Sequence, residues 1–527
     1  MRALARLPAQ HFQRPGNSSG KDSRVVAVVP GIAPQLENGT LQPGRHLCPY
    51  PESFMTSAQS LRSLPAVDNI LRHPQLASVA EVFPRQQIVE WIRQSVDGCR
   101  EAILAGTELD AAAATDFVVA QTLERKQVED GRRQQRVINA TGILLHTNLG
   151  RAPLAKRAIQ RMQESSGYAN VELNLQTGKR NKRGERVCEL LRQLTGAEAA
   201  AIVNNCAAAT MLVLQTLAAG KEVIVSRGQL VEIGGGFRLP EVFAASGAVL
   251  KEVGTTNRTY LRDYEAAISE RTGAIIRVHR SNFFQRGFVT EPDIVDLVAL
   301  GREHNIPVVD DVGSGCMQDL ATYGLREPTV PNSVAAGADL TLFSGDKLFG
   351  GPQAGIIVGK SEWVAAMRRN PMMRALRVDK VTLAAIEATT EIHLAGAAAK
   401  ELPLLQMMAR TTDSLRDDCE SVCNGLSVPP QFSVDVAECT SEVGGGSVPG
   451  SQIPGFGLRI TGDSIQDVAI RLRCGSPAVL CRINDDAVLL DLRTVAVEQL
   501  DTLAQQLSHA LAGPAATPSS PLEGRSE

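Results

Sequence analysis

Aromatic side chains make up only 4% of this 527-residue chain, with two tryptophans and five tyrosines. A core with so few rings must be packed from Ala, Val, Leu and Ile, and a hydrophobic content of 43% supplies enough of them for a large globular enzyme. No apolar run reaches the ~18 residues needed to cross a bilayer, so no membrane span is expected. The 10 cysteines form no Cys-x-x-Cys pair, and Cys419 and Cys423 stand four apart without a histidine cluster. This argues against a zinc site or disulfide framework and fits reduced thiols in a cytoplasmic protein; no metal is expected. Positive charge is not in excess either: 54 Lys and Arg face 57 Asp and Glu, for a formal net charge of -3. That is not the profile of a DNA-binding surface, and any RNA contact must use local patches.

The length suggests two to four domains. Residues 1–54 hold Pro, Gly, Ser, Asn and Arg with little periodicity and no apolar signal core. They read as disordered, or as sequence ahead of a true start at Met55. Residues 55–135 read as a helical domain. Ile88, Ile92, Val96, Cys99 and Ile103 recur at helical spacing, and a second helix follows in DAAAATDFVVAQTLERKQ. Such a domain serves as a packing arm or as an RNA-docking arm, and composition alone favours packing. Over 136–360 the pattern changes to short apolar strands alternating with helices: AAAIVN, EVIVS, AVLKEV, AIIRVH, IPVVDD, LTLFSG and AGIIVG. This predicts an α/β class, with a mostly parallel sheet joined by right-handed crossovers and ligands at the carboxyl ends of the strands. Residues 361–512 read as a linking helix and a small C-terminal α/β domain, and 513–527 as a flexible tail.

Three features fall at those strand ends. Lys347 lies in LTLFSGDKLFGGPQAGIIVG, in a glycine-rich turn between two strands. An amine at a strand mouth, poor in water, suits a Schiff-base lysine; a surface lysine in a glycine loop is an equally common outcome. Asp311 ends the strand IPVVDDVGSG, where pyridoxal 5'-phosphate needs a carboxylate at its ring nitrogen. Asp310 competes for that role, because adjacent strand residues face opposite ways and only one can meet a cofactor; either could instead cap a helix. Finally, Asn205, Cys206, Ala207 and Ala208 open a helix after AAAIVN, where free N–H groups and the positive end of the helix dipole suit a phosphate. Close helix–sheet packing would also select small residues there. The order phosphate turn, aspartate, lysine is that of the large aspartate-aminotransferase-like class.

Longer motifs make the resemblance specific. GDKLFGGPQAG, RVINATGILLHTNLGRAPL, VEIGGGFRLP, EVGTTNRTYLRDYE, DVGSGCMQDLATYGL and PMMRALRVDKVTLAAIEAT together resemble the bacterial selenocysteine synthase (L-seryl-tRNA(Sec) selenium transferase) family, from about Met55 to about Leu511. The resemblance implies the aspartate-aminotransferase-like fold (fold type I) with an N-terminal tRNA-binding domain. It also implies a cytoplasmic homo-oligomer built as a ring of dimers, a homodecamer. The implied reaction converts seryl-tRNA(Sec) to selenocysteinyl-tRNA(Sec), with selenophosphate as donor and pyridoxal phosphate as cofactor. By the same resemblance Lys347 is the cofactor lysine and Asp346 an active-site acid. Arg151, Arg374 and Arg377 line an anion pocket, and Thr255 and Thr256 form a polar pair near the active site. Guanidinium forks suit a polyanionic donor, and Arg374 and Arg377, three apart, would share one face of a helix.

The chain departs from the family pattern at Cys206, where Asn is usual, at Gln229, where Glu is usual, and at Arg280, where Thr is usual. No aromatic stands where this fold often stacks one on the cofactor ring. Two other readings compete: a lyase of the same fold acting on a free small amino acid or amino sugar acid, and an RNA-binding scaffold without catalysis. The helical domain and the arginine pair argue against the first. The lysine, aspartate and phosphate turn argue against the second.

Overall fold

The computed structural model describes residues 61–513 except 234, 235 and 485. The expectations for residues 1–54 and for the tail beyond 513 lie outside the described residues. The chain divides into two compact units between Asp130 and Gly131.

In the first unit, helix Arg85–Leu104 buries Ile88, Ile92, Cys99 and Ile103 against Val118 and Val119 of the next helix. The expected stripe needs one correction. Val96 is only partly buried, and Ser95 takes the inward position. The Ser95 hydroxyl donates to the carbonyl of Trp91 (2.9 Å) and accepts from Thr122 (3.2 Å), so the buried polar group is satisfied.

The second unit opens with β1 (Val137–Asn139). Next come β2 (Ala199–Val203), β3 (Glu222–Ser226), a hairpin of β4 (Glu232–Ile233) and β5 (Phe237–Arg238), β6 (Val249–Val253), β7 (Thr272–Val278), β8 (Val308–Gly313), β9 (Leu340–Ser344) and β10 (Gly355–Gly359). Seven of these form one sheet in the order β2-β10-β9-β8-β7-β3-β6. Only β10 runs against its neighbours, pairing antiparallel with β2 and β9. Alternation along each strand fills both faces: Val223 and Val225 pack with helix Cys206–Ala218, while Ile224 faces a second cluster with Ile275 and Val308. The edge strand β6 carries Lys251 and Glu252 instead of a continuous apolar run, which blunts its free edge.

A smaller antiparallel sheet follows. Its strands β11 (Phe432–Ser441), β12 (Ile453–Gly462), β14 (Arg482–Asn484) and β15 (Ala487–Asp491) are ordered β11-β12-β15-β14. Helices Thr412–Asn424, Ile465–Cys474 and Leu500–Ala512 share its core. The boundary expected at 136 shifts here. β1 pairs in parallel with β13 (Ala478–Leu480), and Ile138 and Ala140 are buried in the C-terminal core. A three-residue strand carries no signal of which sheet it joins. No helix among the described residues is long and apolar enough to cross a membrane.

Candidate active site

Where β8 meets β9 the register shifts between Asp311 and Gly313, and Gly313 adopts φ 67°. The irregularity ends the pairing beside Asp311 and opens the strand mouth. The two aspartates at that mouth have different surroundings. Asp310 is fully buried and receives both forks of Arg277 (2.8 and 2.7 Å) and the Ser333 hydroxyl (2.5 Å). Asp311 has only the Thr210 hydroxyl at 3.3 Å and the Cys206 thiol at 3.9 Å. Burial, opposed by the charge of Lys347, pushes its carboxyl up to about 6. A desolvated carboxylate so weakly paired fits a protonated ring nitrogen.

Lys347 follows β9 in a tight turn and is 6% exposed. Burial lowers its affinity for a proton, and Arg151 adds to the effect; Cys206, Asp311 and Asp346 oppose it. Its Nζ lies 3.4 Å from the carbonyl of Gly446. That contact comes from the small sheet's loop between β11 and β12, where Gly444, Gly445 and Gly446 all have positive φ. A Cβ at Gly445 would stand 2.3 Å from the carbonyl oxygen of Leu145, so only glycine lets this loop close over the lysine.

At the phosphate turn Asn205 caps helix Cys206–Ala218, its side chain accepting from the Ala208 N–H (2.8 Å). Of the three small residues expected to offer donors, Ala208 is therefore already engaged. The N–H groups of Cys206 and Ala207 remain at the positive end of the helix. Donors, a weakly paired carboxylate and a buried amine together fit pyridoxal phosphate.

The three arginines do not converge within one chain. Arg151, in the left-handed region at φ 61°, donates to Asp346 Oδ2 at 2.7 Å, and its buried Nε has no partner. Holding a non-glycine residue there costs about 1–3 kcal/mol, strain typical of functional sites. This pair lines a cavity of about 370 Å³ with Thr147 and Gln353. Arg374 and Arg377 line a different cavity of about 540 Å³ with Arg180, Lys182, Arg183 and Arg368. Nor do they share a helix face: the helix Met372–Ala375 stops, and Arg377 bridges to Val203 as extended backbone. Glu172 stands among these cations, 2.8 Å from Arg180, 3.1 Å from Arg183 and 3.6 Å from Arg377. Thr255 and Thr256 sit in an exposed turn after β6. The Thr255 hydroxyl donates to the carbonyl of Arg258 (2.9 Å), and the Thr256 carbonyl accepts from Gln285 (2.9 Å).

Two of the departures converge on one carboxylate. Glu291 is reached by Arg280 (3.1 Å) and by Gln229 Nε2 (3.5 Å), while Gln229 Oε1 accepts from the Val278 N–H (3.0 Å). Residues that sequence reasoning missed also gather here. Gly446 lies between Lys347 and Ser281, and the buried Glu327 carboxylate stands near a partly exposed His279. The glycine run at 444–446 was the available signal for the covering loop.

The family model described as L-seryl-tRNA selenium transferase matches residues 137–496, and one described as selenocysteine synthase N terminal matches residues 61–100. An L-seryl-tRNA(Sec) selenium transferase of Carboxydothermus hydrogenoformans is 44% identical over 468 residues, 87% of this chain and 99% of that protein. One from Geobacter metallireducens is 43% identical over 453 residues, 84% of this chain and 98% of that protein. Among solved structures, a D-glucosaminate-6-phosphate ammonia-lyase superposes with a TM-score of 0.50 at 20% identity, over 74% of this chain and 98% of that chain; this likeness is one of fold.

Proposed function

Because this chain belongs to the L-seryl-tRNA selenium transferase family, we propose that its strand mouth carries out that reaction with selenophosphate as donor, in a cytoplasmic homodecamer built as a ring of dimers. The chain is an enzyme that converts seryl-tRNA(Sec) to selenocysteinyl-tRNA(Sec), with pyridoxal phosphate as cofactor. The free-amino-acid lyase and the inert scaffold are not favoured, since relatives covering nearly their whole length share this activity by name. Residues 55–135 act as the tRNA-binding domain, residues 136–360 hold the cofactor, and 361–512 close over it.

When bound, pyridoxal phosphate supplies an electron sink for charge developing at the serine Cα. Lys347 Nζ, Asp311 and the N–H groups of Cys206 and Ala207 are the groups that hold it; Ala208 supports the turn through its cap. Buried and biased toward its neutral form, Lys347 Nζ takes the proton from Cα. The serine Cβ–O bond breaks as Lys347 Nζ delivers its proton to the leaving oxygen, which departs as water. The donor selenium then bonds to Cβ, Lys347 Nζ passes the donor's proton to Cα, and water takes the phosphoryl group as the Se–P bond breaks, releasing phosphate. Asp346, engaged by Arg151, holds that guanidinium at the site mouth. Arg374 and Arg377 offer bidentate donors to the selenophosphate anion. Their separation from Arg151 within one chain is consistent with a site shared between copies. Thr255 and Thr256, in the exposed turn after β6, offer polar groups to the substrate. RNA recognition through shape suits the weak overall charge.

The buried Lys347 beside a weakly paired Asp311 is the observation that carries this reading. Lys347→Ala is expected to abolish selenocysteinyl-tRNA formation and the cofactor's visible absorbance near ~420 nm while leaving the fold intact. Full activity in that variant would sink the assignment.

A further inference from the structure

We propose that Glu327 and His279 form a proton-holding pair at the strand mouth that sets the protonation of Lys347, which makes Glu327 a positioning residue acting through His279 and the lysine. The inference rests on the reading of Lys347 as the cofactor lysine.

His279 directly follows β7, and its backbone N–H donates to the Asp311 carbonyl (2.9 Å), which fixes the residue at the strand mouth. Its Nδ1 lies 3.6 Å from Glu327 Oε1. Both atoms are buried without a hydrogen-bond partner. The gap is too long for a formed hydrogen bond and too short to admit a bridging water, so a small side-chain rotation closes it. Leaving two such atoms unpaired in a core is costly unless they do something.

Glu327 is also tied to the lysine through the covering loop. Its Oε2 accepts from the Val448 N–H (3.3 Å), and two residues earlier the Gly446 carbonyl receives Lys347 Nζ (3.4 Å). From the other side the Ser314 carbonyl accepts from Leu348 N–H (2.8 Å), while the Ser314 hydroxyl stands beside Glu327 without a well-formed bond. The charged and titratable groups around the pair are Arg277, Arg280 and Asp310 near His279, Cys316 near Glu327, and Lys347 near both.

Burial pushes the Glu327 carboxyl up to about 7 and the His279 imidazole down to about 4. At neutral pH the imidazole is therefore uncharged and the carboxyl titrates. With Glu327 protonated, its O–H donates to Nδ1 and Nε2 carries the ring proton. With Glu327 ionised, Nδ1–H donates to the carboxylate and Nε2 becomes an acceptor. One proton thus reverses the polarity of the imidazole. The negative charge gained as pH rises through about 7 favours protonated Lys347 and opposes the lowering that burial imposes. A carboxylate that merely anchored Val448 would affect stability and nothing else.

The test uses full-length holoenzyme. Visible absorbance of the bound cofactor and kcat are followed from pH 5 to 9, with melting temperature recorded for each variant. Wild type is expected to show an inflection near pH 7 in both readouts. Glu327→Gln should lose it in both, and Glu327→Asp should restore it. If Glu327→Gln fails to fold, His279→Asn replaces it with the same expected loss. An inflection that persists in the folded Gln variant, or one absent from wild type, overturns the proposal. Wild-type protein without visible absorbance would instead overturn the reading of Lys347 itself.

Discussion

The strand mouth around Lys347 and the cation-lined cavity around Arg374 and Arg377 are built on opposite plans. At the mouth, groups are buried and held by backbone: a glycine loop closed over the amine, a register shift beside Asp311, a strained Arg151 locked to Asp346. In the cavity, long cationic side chains from separate segments share Glu172, with Arg180 82% and Arg377 42% exposed. The first arrangement tunes proton affinity through desolvation. The second concentrates charge on exposed side chains, which suits capture of an anion that must arrive and leave. Preorganisation belongs where bonds change, and adaptable charge where a substrate docks.

The widest contrast lies between the neighbouring aspartates. Asp310→Asn should destabilise the protein by about 3–5 kcal/mol, because Arg277 loses its buried partner; its melting curve checks this. Asp311→Asn should melt no lower than wild type at neutral pH. A carboxyl raised to about 6 opposes folding as pH climbs above its unfolded value, and the amide removes that burden. Cofactor binding should weaken by about 2 kcal/mol or more, roughly thirtyfold, with the loss of a buried charge pair. If both variants lose stability alike, the two aspartates are not divided between structure and chemistry.

A smaller effect is expected in the cavity. Arg377→Ala should raise KM for selenophosphate by roughly tenfold to 150-fold, about 1.5–3 kcal/mol of lost binding, with kcat little changed. Arg377→Lys should rescue poorly, since the forked donor is lost. A fall in kcat with unchanged KM, measured by steady-state kinetics, would move Arg377 from docking to chemistry.

What the sequence made legible follows the same division. Lys347, the phosphate turn and the seven strands lie in local patterns whose meaning does not depend on distant residues. The choice between Asp310 and Asp311 stayed open because strand alternation says that they diverge, not which way; in the fold Arg277 and Ser333 engage Asp310 and leave Asp311 weakly paired. The spacing of Arg374 and Arg377 misled because the helix ends at Ala375 and Leu376–Arg377 pairs with the end of β2. His279 and Glu327 meet only through loops, so no spacing announces them. Val96 yielded its inward place to Ser95 because Thr122 and Trp91 satisfy the hydroxyl.

The most direct test gives the purified full-length enzyme selenophosphate with serine charged on tRNA(Sec), serine charged on an ordinary serine tRNA, or free serine, and measures selenocysteine formed. The account predicts conversion on tRNA(Sec) alone. Turnover of free serine without any tRNA would contradict it.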